Sequence, residues 1–157
     1  MAPRLAAVST GALLVTPVRA AIGAAILGGA VAEGLSPASA AIAIGAGATL
    51  FVFAAASSRR RVLLDDLAPA PADAEYCAWW QSGLRAALPS TVVLAVLGTA
   101  SLAFSRGTSA VCGGLLVGMA ITGFGLGLLL LASERRERRR LYVDWSILQP
   151  HRFVAPR

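Results

Sequence analysis

The sequence predicts an all-α membrane protein with four transmembrane helices arranged as two helical hairpins. Three observations support this fold class. Hydrophobic residues make up 57% of the 157-residue chain and charged residues 14%, which leaves too little polar surface to cover a water-soluble globule of this size. Four apolar runs divide the chain. Fourteen basic residues, all of them arginine, collect where these runs end.

The four apolar runs have the length of membrane-crossing helices. The first lies within residues 11–32, and the others occupy residues 38–56, 86–104 and 109–132. The last three runs each contain about 19 to 24 residues without a charge, close to the roughly 20 residues that a helix needs to cross about 30 Å of hydrocarbon. They are therefore predicted to be spans rather than core helices of a soluble protein.

Short connectors join the runs in pairs. Residues 33–37 and 105–108 are rich in Gly, Ser and Pro, which end helices readily at a water boundary. The chain is thereby divided into three parts. A first hairpin with a basic exit covers residues 1–67, a cytoplasmic linker that begins a helix covers residues 68–84, and a second hairpin with an arginine-rich tail covers residues 85–157.

The first span can be placed in two registers, because Arg19 interrupts its apolar run. If the span begins near Gly11, Arg19 lies inside the hydrocarbon, at a cost of roughly 2.5–3.5 kcal/mol. If it begins at Val18, the span is short, but the guanidinium can extend to the headgroups and the bilayer can thin locally. We favour the start at Val18, with the preceding residues along the interface or in an extension of the helix.

The distribution of arginine predicts the orientation. If the N-terminus, the loop of residues 57–85 and the C-terminal tail share one side, thirteen of the fourteen arginines lie there and Arg106 alone lies opposite. The positive-inside rule assigns the arginine-rich side to the cytoplasm, which predicts a multi-pass protein of a bacterial cytoplasmic membrane with both termini cytoplasmic. Four aromatic residues lie near the cytoplasmic ends of spans three and four, where aromatic belts form: Trp79, Trp80, Tyr142 and Trp145.

The two halves of the chain end in similar sequences. Residues 59–65 read RRRVLLD and residues 138–144 read RRRLYVD. Because both hairpins would start from the same side, a duplication would be of the parallel type, about an axis along the membrane normal. The alternative is that any helix leaving the membrane on the cytoplasmic side collects arginines, which favour helix C-termini and anionic headgroups. Both interpretations stay open.

Two sets of residues are expected to mediate interactions. Small residues allow close helix packing in lipid, within one bundle or between copies of the chain. The packing candidates are Gly114, Gly118, Gly123 and Gly127 in two GxxxG pairs, and Gly28 and Gly45 in similar series on the first hairpin. The candidates for binding anionic lipids or an acidic partner are Arg59, Arg60, Arg61, Arg135, Arg136, Arg138, Arg139 and Arg140.

No motif in the sequence predicts catalysis, a cofactor or a metal site. Cys77 and Cys112 have no second Cys or His nearby at ligand spacing, and the single histidine, His151, has no plausible nucleophile partner. The basic residues do not form one face with aromatic company, which argues against nucleic acid binding. Glu33, near the outer face, and Arg19 are the candidates for transport of protons or cations, although the end of a span favours a loop carboxylate.

The expected function is therefore non-catalytic. An accessory, scaffold or assembly subunit would act through helix packing and the basic cytoplasmic tail. The expected partners are a bilayer with an anionic inner leaflet and either a second copy of the chain or another membrane protein. The alternative is a small oligomeric transporter or channel that uses Glu33, with Arg19 as a further candidate.

Overall fold

In a computed structural model, the chain forms a helical bundle with a five-stranded sheet. The structure describes residues 4–64, 67–88, 90–144 and 152–156. The helices are α1 (Val8–Ala32), α2 (Pro37–Leu64), α3 (Trp79–Ala87), α4 (Ser90–Ser101) and α5 (Arg106–Glu137). The strands are β1 (Arg4–Ala7), β2 (Ala68–Pro69), β3 (Glu75–Tyr76), β4 (Arg139–Asp144) and β5 (Arg152–Pro156).

Two helices of the structure are long and apolar enough to cross a membrane. These are α1 and α5, and the bent pair formed by α3 and α4 gives a third candidate if it is one span. The apolar part of α2 within the described residues, Pro37–Phe53, is shorter than a span. The prediction of a mostly helical chain with apolar helices of membrane-spanning length is thus confirmed. The structure contains two candidate spans, or three if the bent pair is a single span.

The prediction that the chain contains helices only was wrong. The sheet has the strand order β2-β5-β4-β1-β3, and its strands come from the N-terminus, the loop after α2 and the C-terminal tail. Extended segments that lie at one end of a bundle can satisfy their backbone N–H and C=O groups in a shared ladder, which explains why these polar segments pair. Residues 1–67, 68–84 and 85–157 therefore all contribute strands to a single sheet.

Strand β4 organises the sheet. It runs antiparallel to β1, with Leu5 opposite Asp144, and antiparallel to β5, with Tyr142 opposite Phe153. The short strands β2 and β3 add parallel partners at the two edges. Tyr142 also contacts Tyr76 edge to face, with ring centroids 5.0 Å apart. Tyr142, which the sequence suggested as a membrane anchor, is therefore a member of the sheet; Trp145 lies outside the described residues.

Helix α5 is the centre of the bundle. It packs along α1, α2 and α4, whereas α1 and α2 contact each other little although a short turn joins them. Helix α3 packs on α1. One buried cluster contains Ile26 of α1 with Leu116 and Met119 of α5, and a second contains Leu27 with Ala40 and Ala110. The first two helices are therefore held together mainly through α5.

The two similar sequence ends adopt different conformations. The backbone of residues 59–64 continues helix α2. In the other half, Arg138 has a left-handed backbone (φ 52°) and donates its N–H to the Glu134 carbonyl, a C-terminal arrangement that ends a helix and turns the chain. Residues 139–144 then form β4. The similarity between the two ends is one of sequence and not of local structure.

Candidate functional site

The third candidate span is broken at its middle. Helix α3 ends at Ala87 and α4 begins at Ser90, and their axes are bent by 49°. Leu88 is extended (φ −84°, ψ 144°), the conformation favoured for a residue that precedes proline. Pro89 has no N–H to donate to a helix. The break therefore follows from the Leu88-Pro89 pair in the sequence.

The guanidinium of Arg19 lies at this break. Its Nη2 donates to the Ala86 carbonyl at 2.9 Å, and its Nε donates to Thr91 Oγ1 at 2.8 Å. A longer contact of 3.4 Å joins Nη2 to Ser90 Oγ. In a continuous helix the Ala86 carbonyl would accept from the N–H of residue 90. Arg19 therefore occupies an acceptor that the interrupted helix leaves without its usual partner.

A buried carboxylate lies where the bundle meets the sheet. Glu134, in the last turn of α5, is 5% exposed. Its Oε2 accepts from Ser9 Oγ at 2.9 Å, and its Oε1 accepts from the Leu141 backbone N–H at 3.1 Å. A single carboxylate thus joins α1, α5 and β4, which fixes the sheet to the bundle.

Glu134 was not identified from the sequence as a candidate site residue. It lies among arginines at the end of a span, where a solvated counter-charge is the ordinary expectation. One signal was present: Glu134 follows Gly127 by seven residues, or two helical turns, so both lie on one face of α5. Gly127 faces α1, where an added Cβ would lie 2.9 Å from the Leu13 side chain.

The glycines Gly114 and Gly118 face α2. A Cβ added at Gly114 would lie 2.5 Å from the carbonyl carbon of Ala43, and one added at Gly118 would collide with the backbone of Gly47. Only residues without a side chain let two helix backbones approach this closely. This GxxxG pair is therefore used within the chain, between α2 and α5.

The second GxxxG pair of α5 faces α1. Gly127 lies tightly against Leu13, as described above, while a Cβ added at Gly123 would lie 3.6 Å from Thr16 Oγ1, an ordinary contact distance. The two glycine pairs of α5 thus point to different neighbours, one to α2 and one to α1. This arrangement agrees with the central position of α5 in the bundle.

Gly28 of α1 and Gly45 of α2 lie on open surface. A Cβ added at either position would meet no atom within 4 Å in the part of the chain that the structure describes. The small residues one turn away on these helices are also exposed: Ala24, Ala32, Ala41 and Thr49. We call these two surfaces the α1 open face (Ala24, Gly28, Ala32) and the α2 open face (Ala41, Gly45, Thr49).

Arginines surround the sheet end of the bundle. Four of them are exposed at the end of α5 and the start of β4: Arg135, Arg136, Arg138 and Arg139. Arg140 is half-buried, and its Nε has no hydrogen-bond partner in the described structure. Arg4 contacts the Glu75 carboxylate at 3.4 Å on the surface. The side chains of Arg59, Arg60 and Arg61 lie outside the described residues.

The transport candidates Glu33 and Arg19 do not meet. Glu33 is exposed at the C-terminal end of α1, where its N–H donates to the Gly29 carbonyl at 3.0 Å. Gly34 follows in a positive-φ conformation (φ 98°), and the Arg106 guanidinium lies against it. Arg19 is 14 residues earlier in the same helix, which is about 21 Å along the axis. The two side chains therefore belong to different ends of α1.

Among the residues that the structure describes, no group of three or more His, Cys, Asp or Glu side chains is placed to hold a metal ion. Cys77 and Cys112 are free thiols, and His151 lies outside the described residues. Within the described ranges, the features that bear on function are the Arg19 break, the Glu134 junction, the two open faces and the arginine-rich end. No protein-family model, curated protein or solved structure matches this chain.

Proposed function

We propose that the protein is a non-catalytic membrane scaffold or accessory subunit that binds its partner through the open faces of α1 and α2. The observation that carries this proposal is that the half-buried guanidinium of Arg19 and the buried carboxylate of Glu134 both have hydrogen-bond partners within the chain. Arg19 bonds to the break between α3 and α4, and Glu134 bonds to Ser9 and Leu141. Removing either side chain would leave its hydrogen-bond partners unsatisfied, so we assign Arg19 and Glu134 a role in the fold. The α1 and α2 open faces are then the surfaces that can bind a partner.

In this proposal four segments cross a bacterial cytoplasmic membrane: α1, α2, the α3–α4 pair and α5. The apolar sequence of α2 continues to residue 56, about 20 residues from Pro37, which is long enough to span. The pairing of β1 with β4 supports an even number of spans, because it brings the N-terminus and the tail to one end of the bundle. The excess of arginine at that end favours the cytoplasm.

The arginine-rich end supports contact with an anionic inner leaflet. The exposed arginines after α5 would lie near the headgroups, where each basic residue contributes about 1 kcal/mol of attraction. Trp79 and Trp80 at the start of α3 are also exposed, and such side chains prefer the membrane interface. This contact would orient the scaffold in the membrane and leave the helix faces free for a partner.

The open faces support binding of a second copy or of another membrane protein. Close approach of helices in lipid depends on small residues because apolar burial gives little driving force there. Gly114 and Gly118 already contact α2, so substitutions at those positions would disturb the fold together with any partner. Substitutions at Gly28 and Gly45 separate the two effects, since an added Cβ at either position would meet no atom within 4 Å in the described chain.

We expect Gly28→Leu and Gly45→Leu to leave the protein folded and to weaken its association in the membrane. A leucine on an open face prevents close approach, and a loss of about 1.4 kcal/mol lowers affinity tenfold. Chemical cross-linking in native membranes, followed by co-purification in mild detergent, measures the effect. The matched control is Gly125→Leu, at an open position outside both faces, which should associate normally. A wild-type chain that stays solitary, or unchanged association in both variants, would contradict the proposal.

The transporter alternative has less support from the geometry. The broken helix at Arg19 resembles in kind the interrupted helices that form transporter binding sites. However, the Arg19 guanidinium is already hydrogen-bonded to three acceptors of the break, and Glu33 lies exposed at the far end of α1. A single site that uses both residues would require a rearrangement of the helix.

A further inference from the structure

The depth of Arg19 follows from the register between α1 and α5. These helices run antiparallel, with Leu13 beside Gly127 and Gly23 beside Val117, where added Cβ atoms would lie 2.9 and 2.8 Å from the facing side chains. Arg19 lies between Leu13 and Gly23 on α1. It is therefore level with the part of α5 between Val117 and Gly127.

That part of α5 is the middle of its uncharged run. The run covers residues 109–132, so its midpoint falls between residues 120 and 121. If α5 crosses the membrane through this run, Arg19 lies near the centre of the hydrocarbon and not at the interface, as the span start at Val18 would require. An arginine at this depth is unfavourable unless its donors are bonded.

The break in the third span lies at the same depth, because Arg19 bonds directly to Ala86 and Thr91. Lipid offers no hydrogen bonds, so non-helical backbone inside a membrane is tolerated only where other groups satisfy it. The lone arginine and the interrupted helix are each unfavourable in hydrocarbon. The guanidinium of Arg19 supplies hydrogen-bond donors. The break supplies the acceptors, which are the Ala86 carbonyl and the hydroxyls of Ser90 and Thr91.

We propose that Arg19 and the break between α3 and α4 form an intramembrane latch that holds α4 against α5. The bend brings Gly98 of α4 against Cys112 of α5, where an added Cβ would lie 3.0 Å from the Cys112 Cβ. Cys112 is buried at this contact. Release of the latch therefore lets α4 swing about the break and exposes the Cys112 thiol. This device is independent of the identity of the protein's partner.

The test is a double-substitution cycle with Arg19→Leu and Pro89→Ala in a Cys77→Ser background. Each single substitution should lower the apparent Tm in mild detergent by at least roughly 5 °C and raise the rate at which a maleimide labels Cys112 by about tenfold. The double variant should recover at least half of both losses, because a continuous helix supplies the N–H of residue 90 to Ala86. Additive losses in the double variant would overturn the proposal.

Two further variants keep the test decisive. Arg85→Leu removes an arginine from α3 whose side chain makes no hydrogen bond in the described structure. Arg85 is on the sheet-end side of the break, from which a long side chain can extend toward the headgroups, so its removal should change neither Tm nor Cys112 labelling. Arg19→Gln retains an amide donor, so it should fold and show the same rescue by Pro89→Ala with a smaller amplitude. Equal effects of Arg19→Leu and Arg85→Leu, or no rescue of Arg19→Gln, would show that Arg19 is not a latch.

Discussion

Gly118→Leu is expected to separate α2 from α5 and to remove most of the folded protein. A Cβ at position 118 would collide with the Gly47 backbone and lie 2.5 Å from the Ala48 nitrogen. Both neighbours are backbone atoms, so they cannot rotate away as a side chain can. Overpacking of this kind typically costs 1–3 kcal/mol and occasionally more, and we expect about 3 kcal/mol or more here. Unfolding of the purified protein in mild detergent measures the loss.

The control for this prediction lies on the same helix. Gly125 is two turns further along α5, and a Cβ there meets no atom within 4 Å of the described chain. Gly125→Leu should therefore leave stability unchanged or raise it by about 0.5–1 kcal/mol, because leucine is the better helix former. Equal losses at positions 118 and 125, or no loss at 118, would show that α2 does not pack on α5 as described.

Glu134→Ala is expected to loosen the sheet from the bundle while the helices stay assembled. The substitution leaves the Ser9 hydroxyl and the Leu141 N–H buried without their acceptor. An unsatisfied buried polar group costs about 1–3 kcal/mol, so we expect a loss of about 3 kcal/mol for the pair. Hydrogen exchange should show faster exchange in β4, residues 139–144, and little change in the middle of α5.

Glu137→Ala is the matched control for the Glu134 prediction. Glu137 is one turn later in α5, also acidic, and exposed, so its removal should leave the exchange of β4 unchanged. Ser9→Ala should reproduce part of the Glu134→Ala effect, since it removes one of the two donors. If Glu134→Ala and Glu137→Ala gave the same exchange pattern, the carboxylate would not be the joint between the sheet and the bundle.

The sequence was sufficient to predict the long apolar helices because their signal is local. Runs such as residues 109–132 carry no charge over a length that only a span or a buried helix needs, and α5 covers that run. The strands carry no such local signal. They contain two to six residues each, and β1 finds its partner β4 at the opposite end of the chain. The arginines in β4 and β5 are equally consistent with the basic segment that follows a membrane span, so they did not indicate strands.

For the site residues too, the sequence indicated local features but not the partners that are distant in the chain. Arg19 was recognisable as a charge inside an apolar run, but its acceptors, Ala86 and Thr91, are more than 60 residues away in the sequence. Small residues on α5 indicated packing faces, but the neighbour that each face contacts depends on how the helices assemble. Glu134 shares a face with Gly127, and its burial follows only once α1 is placed on that face.

The proposed topology requires that lipid surrounds the helices and that the sheet lies at the cytoplasmic surface. Side-specific labelling with a membrane-impermeant maleimide tests this most directly. Cys77 lies next to β3 at the sheet end, and Gly107→Cys, in a chain with Cys77→Ser, marks the opposite end at the start of α5. Cys77 should react in inside-out vesicles only, and Gly107→Cys in right-side-out vesicles only. Reaction of both thiols from the same side, or of Cys77 from the outside, would contradict it.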